Sequence, residues 1–336
     1  MDGTATQQVR PDPPSTQSDS GSRVMGFIKE YAIAWVLLAL ILAGFIATPD
    51  FLTGPNAIII LRQTALVGIV AVGMTFVILT AGIDLSVGSI VGLTAFLVAW
   101  CVATGYGPLV SIIVGILLGA LLGALNGIGV VLTKVPPFVM TLGMMTMARG
   151  LALTLSSGRP LSLGAEAEGF RWLGAGTVVG IPVPVLIFIV VVALAGFTLK
   201  YTGFGRAVYA VGDSPEAARL SGINVRQTTF MVYVIAGLLA GLTGAIYVSR
   251  LTVGEPTAGS SLELDAIAIV VIGGTSLFGG QGRIWGTVVG ALIITVLANI
   301  LDLLAVSPFT QQIVKGAIVV LAVIFERIQN RSKDAH

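Results

Sequence analysis

From about residue 28 the chain alternates between apolar runs of bilayer-crossing length and short polar or glycine-rich interruptions. A hydrocarbon core of roughly 30 Å needs about 20 apolar residues per helix. Ten stretches meet or approach that length: 28–47, 57–80, 86–104, 108–132, 136–156, 178–199, 229–249, 264–279, 284–304 and 309–326. Pro308 separates the last two, since proline stops one helix and starts another. The eighth is short and glycine-rich, so it reads as a broken or re-entrant segment as readily as a full crossing. The pattern predicts an all-α polytopic membrane protein of about ten transmembrane helices, its transmembrane domain covering residues 26–328.

The flanks are different in kind. Residues 1–25 are rich in Pro, Ser, Thr, Gln and Asp and poor in bulky apolar side chains, so they predict a disordered tail. No apolar core follows a short basic start, which argues against a signal peptide. Residues 329–336 form a second polar tail.

One polar insert interrupts the apolar pattern. Gly203 to Val225 reads GFGRAVYAVGDSPEAARLSGINV and predicts a short, capped surface helix. Asp213 or Ser214 suits its N-cap, Pro215 its first turn and Gly222 the left-handed residue past its end. Ala217, Ala218 and Leu220 form a small apolar face beside Glu216 and Arg219. A helix this short is unstable alone in water. It either tidies a loop or packs against something outside the membrane domain.

Charge placement orients the chain. Charged residues make up 10% of the 336, less than half the roughly 25% of a soluble domain. Even-numbered connections and both tails carry Arg10, Arg23, Lys29, Lys134, Lys200, Arg206, Arg219, Arg226, Arg283, Arg327, Arg331 and Lys333. Odd-numbered connections carry only Arg159, Arg171 and Arg250. The positive-inside rule places both termini and the 203–225 insert in the cytoplasm. A net charge of +2 is too small to imply nucleic acid.

Inside the spans, small and polar residues stand out. Gly115, Gly119, Gly123 and Gly127 recur on one face of the fourth span, with Gly237/Gly241 and Gly286/Gly290 repeating the spacing. Such stripes let helix backbones approach closely, within a subunit or between subunits. Thr80 to Ser86 breaks the second and third spans. Asp84 or Ser86 either caps the third helix or lies near the inner end of a translocation path. Gln63, Asn126, Arg149, Asn299 and Lys315 are single polar groups in apolar surroundings, and an interhelical hydrogen bond is the simplest role for each. Gln63, Asp84, Ser86, Asn126 and Asn299 are the candidates for the path. Glu263 and Asp265 open the eighth span, where carboxylates suit the helix dipole.

Much chemistry is excluded. The one histidine is His336 and the one cysteine is Cys101, so no internal disulfide, His-based triad or Cys/His metal site can be assembled. Gly274 to Gly280 has the glycine spacing of a phosphate loop but lacks its lysine. The chain has no P-loop of its own, so ATP-driven transport would draw on another polypeptide. Thr80–Phe96 and Gly273–Leu292 also echo one another as glycine-rich breaks before apolar spans, a pattern that duplication or membrane composition alone would produce.

Three segments carry a family resemblance. Val72–Thr94 (VGMTFVILTAGIDLSVGSIVGLT), Gly203–Val225 and Gly273–Gly290 (GGTSLFGGQGRIWGTVVG) resemble, in order, the signatures of permease subunits of bacterial monosaccharide ABC importers of the ribose type. The likeness runs from about residue 30 to 328. It implies a multi-pass inner-membrane homodimer in lipid, a cytoplasmic ABC ATPase that holds ATP and Mg (often two fused ATPase domains), and a periplasmic or lipid-anchored sugar-binding protein. No cofactor belongs to this chain. The family's coupling helix maps onto Asp213 to Gly222, with Pro215, Glu216, Ala217, Ala218, Arg219 and Leu220 facing the ATPase and Gly205 and Arg206 supporting the loop. A branched-chain amino-acid permease is the near alternative and an ion-coupled secondary carrier a more distant one, for which no convincing buried carboxylate or histidine relay is present.

Overall fold

The computed structural model describes residues 32–164, 168–318 and 320. The tails at 1–25 and 329–336, the start of the first predicted span and the end of the tenth lie outside these residues. Five helices come first: α1 (Ala32–Ala47), α2 (Gly54–Leu79), α3 (Val87–Ala103), α4 (Pro108–Thr133) and α5 (Pro137–Ser156). A connection follows with β1 (Leu161–Ser162), α6 (Trp172–Ala175), β2 (Thr177–Val178) and β3 (Ile181–Pro182). Then come α7 (Val183–Tyr201), α8 (Gly203–Asp213), α9 (Pro215–Leu220) and α10 (Val225–Leu251). The chain continues through β4 (Val253–Gly254), α11 (Leu262–Ile272), α12 (Ile284–Leu303) and α13 (308–318). Among the described residues the strands form two minimal antiparallel pairs, β1 with β4 and β2 with β3.

Among the described residues, six helices are long and apolar enough to cross a membrane: α2, α4, α5, α7, α10 and α12. The molecule is therefore an all-α polytopic membrane protein. The predicted eighth span resolves differently from a crossing helix. Only Leu262–Ile272 is helical, 11 residues, or about 16 Å at 1.5 Å per residue. Gly273 and Gly274 end it, and residues 275–283 run on without helix. The sixth span begins later than its apolar run, because Thr177–Pro182 folds into the β2–β3 hairpin first.

The α10 helix is the axis of the molecule, packing against α4, α2 and α3. Its approach to α4 is through backbone. A methyl at Gly119 would overlap the Gly237 carbonyl and lie 2.8 Å from the Gly241 Cα. At Gly123 it would meet the Tyr233 carbonyl, and at Gly127 the Phe230 carbonyl at 2.9 Å. A methyl at Gly115 would collide with Val98 of α3. The α4 stripe thus lies against α10 and α3 of the same chain. The opposite face of α4 exposes Leu109, Leu117, Leu121, Leu125 and Leu132, a leucine surface that suits hydrocarbon rather than water.

The short helices α3 and α11 meet N-terminus to N-terminus in the interior. A methyl at Gly88 would strike the Gly259 carbonyl and the Glu263 carboxylate, and one at Gly92 would lie 2.8 Å from both Arg149 Nη1 and the Pro256 carbonyl. Two helices that begin inside the fold, each after an irregular stretch, are the arrangement by which membrane proteins place backbone polar groups at depth without exposing them to lipid.

Candidate coupling site

The insert between α7 and α10 is two helices rather than the single one its sequence predicts. Thr202 caps α8, its Oγ1 accepting from Gly205 N at 3.0 Å. Ser214 caps α9, its Oγ accepting from Ala217 N at 3.2 Å. Asn224 caps α10, its Oδ1 accepting from Gln227 N at 3.1 Å. Asp213 therefore closes α8 and is not the cap of α9. Pro215 opens α9, and Gly222 (φ +81°) ends it. Ile223 N donates to the Ala218 carbonyl and Gly222 N to the Arg219 carbonyl, both at 3.0 Å, the paired bonds of a Schellman ending.

The α8 helix is anchored by contacts that admit almost no side chain. Gly205 lies against the Thr198 and Leu199 carbonyls, Val208 and Val211 are buried, and Tyr209 Oη donates to the Gly282 carbonyl at 2.9 Å. Phe204 stacks on Phe76 of α2 with ring centres 6.4 Å apart. At its far end a methyl on Gly212 would overlap both the Leu79 carbonyl and Gly280 N. Those two atoms hydrogen-bond each other at 3.0 Å. Gly279 (φ +87°) and Gly280 (φ +71°) take left-handed conformations so that their loop can reach this point. The three segments of the family resemblance converge on this one junction.

Off this anchor, α9 turns its faces apart. Ala218 is buried against the chain, whereas Pro215, Glu216, Ala217, Arg219 and Leu220 are exposed, Leu220 at 78%. Arg219 Nη2 and Glu216 Oε1 form an exposed ion pair at 2.6 Å. The bond from Arg219 holds the Glu216 carboxyl below its ordinary range. Arg206 is exposed on the first turn of α8.

The Thr80–Ser86 break is a buried polar knot. Ala81 is left-handed (φ +58°). Asp84 Oδ1 accepts from Ser86 N at 2.8 Å and from Ser86 Oγ at 2.6 Å. Neither side chain caps α3 by a hydrogen bond: Asp84 closes its own turn and Ser86 receives Asn126 Nδ2 of α4 at 2.8 Å. Thr141 of α5 accepts from Leu85 N at 3.1 Å and donates to the Ile83 carbonyl at 3.2 Å. Asp84 Oδ2, Asn126 Oδ1 and Tyr233 Oη are buried without a hydrogen-bond partner among the described residues. Of the five path candidates, Asp84, Ser86 and Asn126 thus come together.

The other two lie elsewhere. Asn299 exchanges two hydrogen bonds with Asn56, at 2.9 and 2.7 Å. Gln63 is exposed on α2. Asn56 drew no notice in the sequence because it sits beside Pro55 at a helix start, where a polar residue is ordinary. Arg149 Nη1 donates to the Pro256 and Ala258 carbonyls at 2.7 and 3.2 Å. Lys315 is not a lone polar group: it pairs with Asp265 at 2.8 Å.

Comparison with known proteins follows the same lines. The family described as branched-chain amino acid transport system / permease component matches residues 56–323. The chain is 48% identical over 291 residues to the ribose import permease protein RbsC of Bacillus subtilis, covering 87% of this chain and 90% of that one. It is 45% identical to RbsC of Escherichia coli K12, covering 93% and 98%. It is 36% identical to the xylose transport system permease protein XylH of E. coli K12, covering 98% and 100%. No solved structure matches. The chain belongs to this family of multi-pass membrane permease components.

Proposed function

We propose that the chain is the membrane subunit of an ABC importer for a monosaccharide, a pentose foremost, driven by ATP bound with Mg on a separate ATPase chain. The observation that carries this reading is that the family match, residues 56–323, contains all three converging segments, while the relatives above are permeases for ribose and xylose. In this reading a homodimer encloses the path, with ten membrane-inserted segments per subunit and cytoplasmic termini. A sugar-binding protein delivers substrate from outside. The exposed face of α9 docks on the ATPase, and closure of the ATPase dimer rocks the two permease subunits between inward and outward states.

The test has two parts. A strain lacking this chain is assayed for uptake of a panel of pentoses, hexoses and branched-chain amino acids, with and without the chain restored. Loss and rescue of a sugar, and not of an amino acid, is the expected result. Selective loss of branched-chain amino acids would instead support the substrate named in the family description. Ala217→Glu places a charge on the exposed face of α9 without touching buried Ala218. It is expected to abolish coupled ATPase activity and recovery of the complex, while the permease itself still folds.

A further inference from the structure

A cavity of about 510 Å³ opens between the N-terminus of α11 and the last described helix, α13. Its size lies within the roughly 300–1,000 Å³ of small-molecule sites. Its wall is mostly apolar with a few polar groups: Ser260, Ser261 and Asp265 lie on one side, Gln312 and Lys315 on the other, while the Gln311 carboxamide is held by Asp302 and the Val306 carbonyl. Leu264 and Pro308 supply the large apolar contacts among the lining residues.

Two observations mark this cavity as built for a ligand. Lys315 Nζ lies 2.8 Å from Asp265 Oδ2, the side chains 26% and 17% exposed. An ion pair set among apolar membrane helices is costly unless it faces a water-filled path or a partner. Independently, Ser261 stands at the N-cap position of α11 with a left-handed backbone (φ +66°), and its hydroxyl makes no capping bond. A serine at that position ordinarily satisfies a helix amide. Here the chain accepts an unfavourable backbone conformation and leaves that hydroxyl uncommitted to the helix. Strain of this kind persists where the surroundings impose it and gathers at ligand sites.

We infer that this cavity is the station where the passing sugar touches the permease, an assignment that rests on the sugar-import reading above. The Asp265 carboxylate accepts hydrogen bonds from adjacent hydroxyls of the monosaccharide and the Lys315 ammonium donates to a neighbouring hydroxyl oxygen. Ser261 and Gln312 contact the remaining hydroxyls. The pair is electrically neutral as a unit, so a neutral polyol enters by taking over part of the Asp265–Lys315 bond and leaves by returning it. That exchange holds the sugar weakly enough for release. Because Asp265 lies on the broken helix and Lys315 on α13, an occupant would also bridge these two elements.

The test uses the complete importer, permease with its ATPase and binding protein, in a strain lacking the native chain. Initial uptake of labelled ribose, 2-deoxyribose and xylose is measured for wild type, D265N, K315Q and Q312A. D265N and K315Q are expected to lower uptake of the best substrate about 10- to 100-fold, as loss of a charge-assisted hydrogen bond does. The loss should be unequal across the three sugars, shifting their relative rates by about tenfold, while binding-protein-stimulated ATPase activity persists. Equal losses for every sugar, or wild-type uptake, would overturn the assignment. Should D265N or K315Q not assemble, Q312A, altering an exposed side chain, decides by the same ratio. If wild type takes up none of the panel, the import reading falls, and this assignment with it.

Discussion

Single atoms decide how the 203–225 insert packs. Gly212 has no room for a methyl group, because the Leu79 carbonyl and Gly280 N occupy that space. Gly212→Val should displace the end of α8 at a cost of about 1–3 kcal/mol, typical of overpacking, read as a lower Tm in detergent. Glu216 is the opposite case. Its carboxyl, held below the ordinary range by Arg219, contributes stability above its unfolded-state pKa and loses it as pH falls through the lower folded value. Both partners of that pair are exposed, so the pair is easily screened by salt. Glu216→Ala should leave Tm unchanged; a loss of ATPase coupling would then mark the interface rather than the fold. Asp84→Ala removes the acceptor for two bonds from Ser86 and should cost about 1–3 kcal/mol, whereas Asp84→Asn, which keeps Oδ1, should retain most of that stability.

The helical elements were largely legible from apolar run length, and the failures have physical causes. Predicted α2, α4, α5, α10 and α12 lie within a few residues of their observed bounds, since proline and glycine punctuate them. The eighth segment is the broken one of the two readings its glycines left open: Gly273 and Gly274 end α11 within an apolar run, which hydropathy alone cannot tell from a continuous helix. The insert divided in two because Ser214 takes an extended conformation (φ −155°, ψ 105°), which composition does not announce. Site residues were less legible, since pairing is a property of space: Asp265 and Lys315 stand far apart in sequence and meet at 2.8 Å. The two glycine-rich breaks also come close in space: Gly280 N, in the second, donates to the carbonyl of Leu79, the residue just before the first. At this scale Gly119→Leu should wedge α4 from α10 and cost more than Gly212→Val, because it strikes backbone on two neighbouring turns; thermal unfolding of the two purified variants compares them.

For the whole molecule, orientation follows from the proposal and can be read directly. After Cys101→Ala removes the one native thiol, Asp213→Cys should react with a membrane-impermeant reagent only when the cytoplasmic face is opened. Labelling from outside would invert the topology and remove the insert from the reach of an ATPase. Packing explains why the orientation matters. The insert joins α7 to α10, and α10 touches α4, α2 and α3, so displacement at α9 reaches the centre of the bundle through one covalent step.

The backbone bond between Gly280 and Leu79, with Gly212 pressed against both, gives that step its mechanical character. Side chains yield under load by changing rotamer, and a joint made of them behaves as a cushion. This joint has no rotamers to change. A push on the surface helix therefore meets a stiff fulcrum that bears on the ends of α2 and α8 and on the loop after α11 together. Little of the stroke would be lost to local give, and the motion would be delivered as rotation of whole helices.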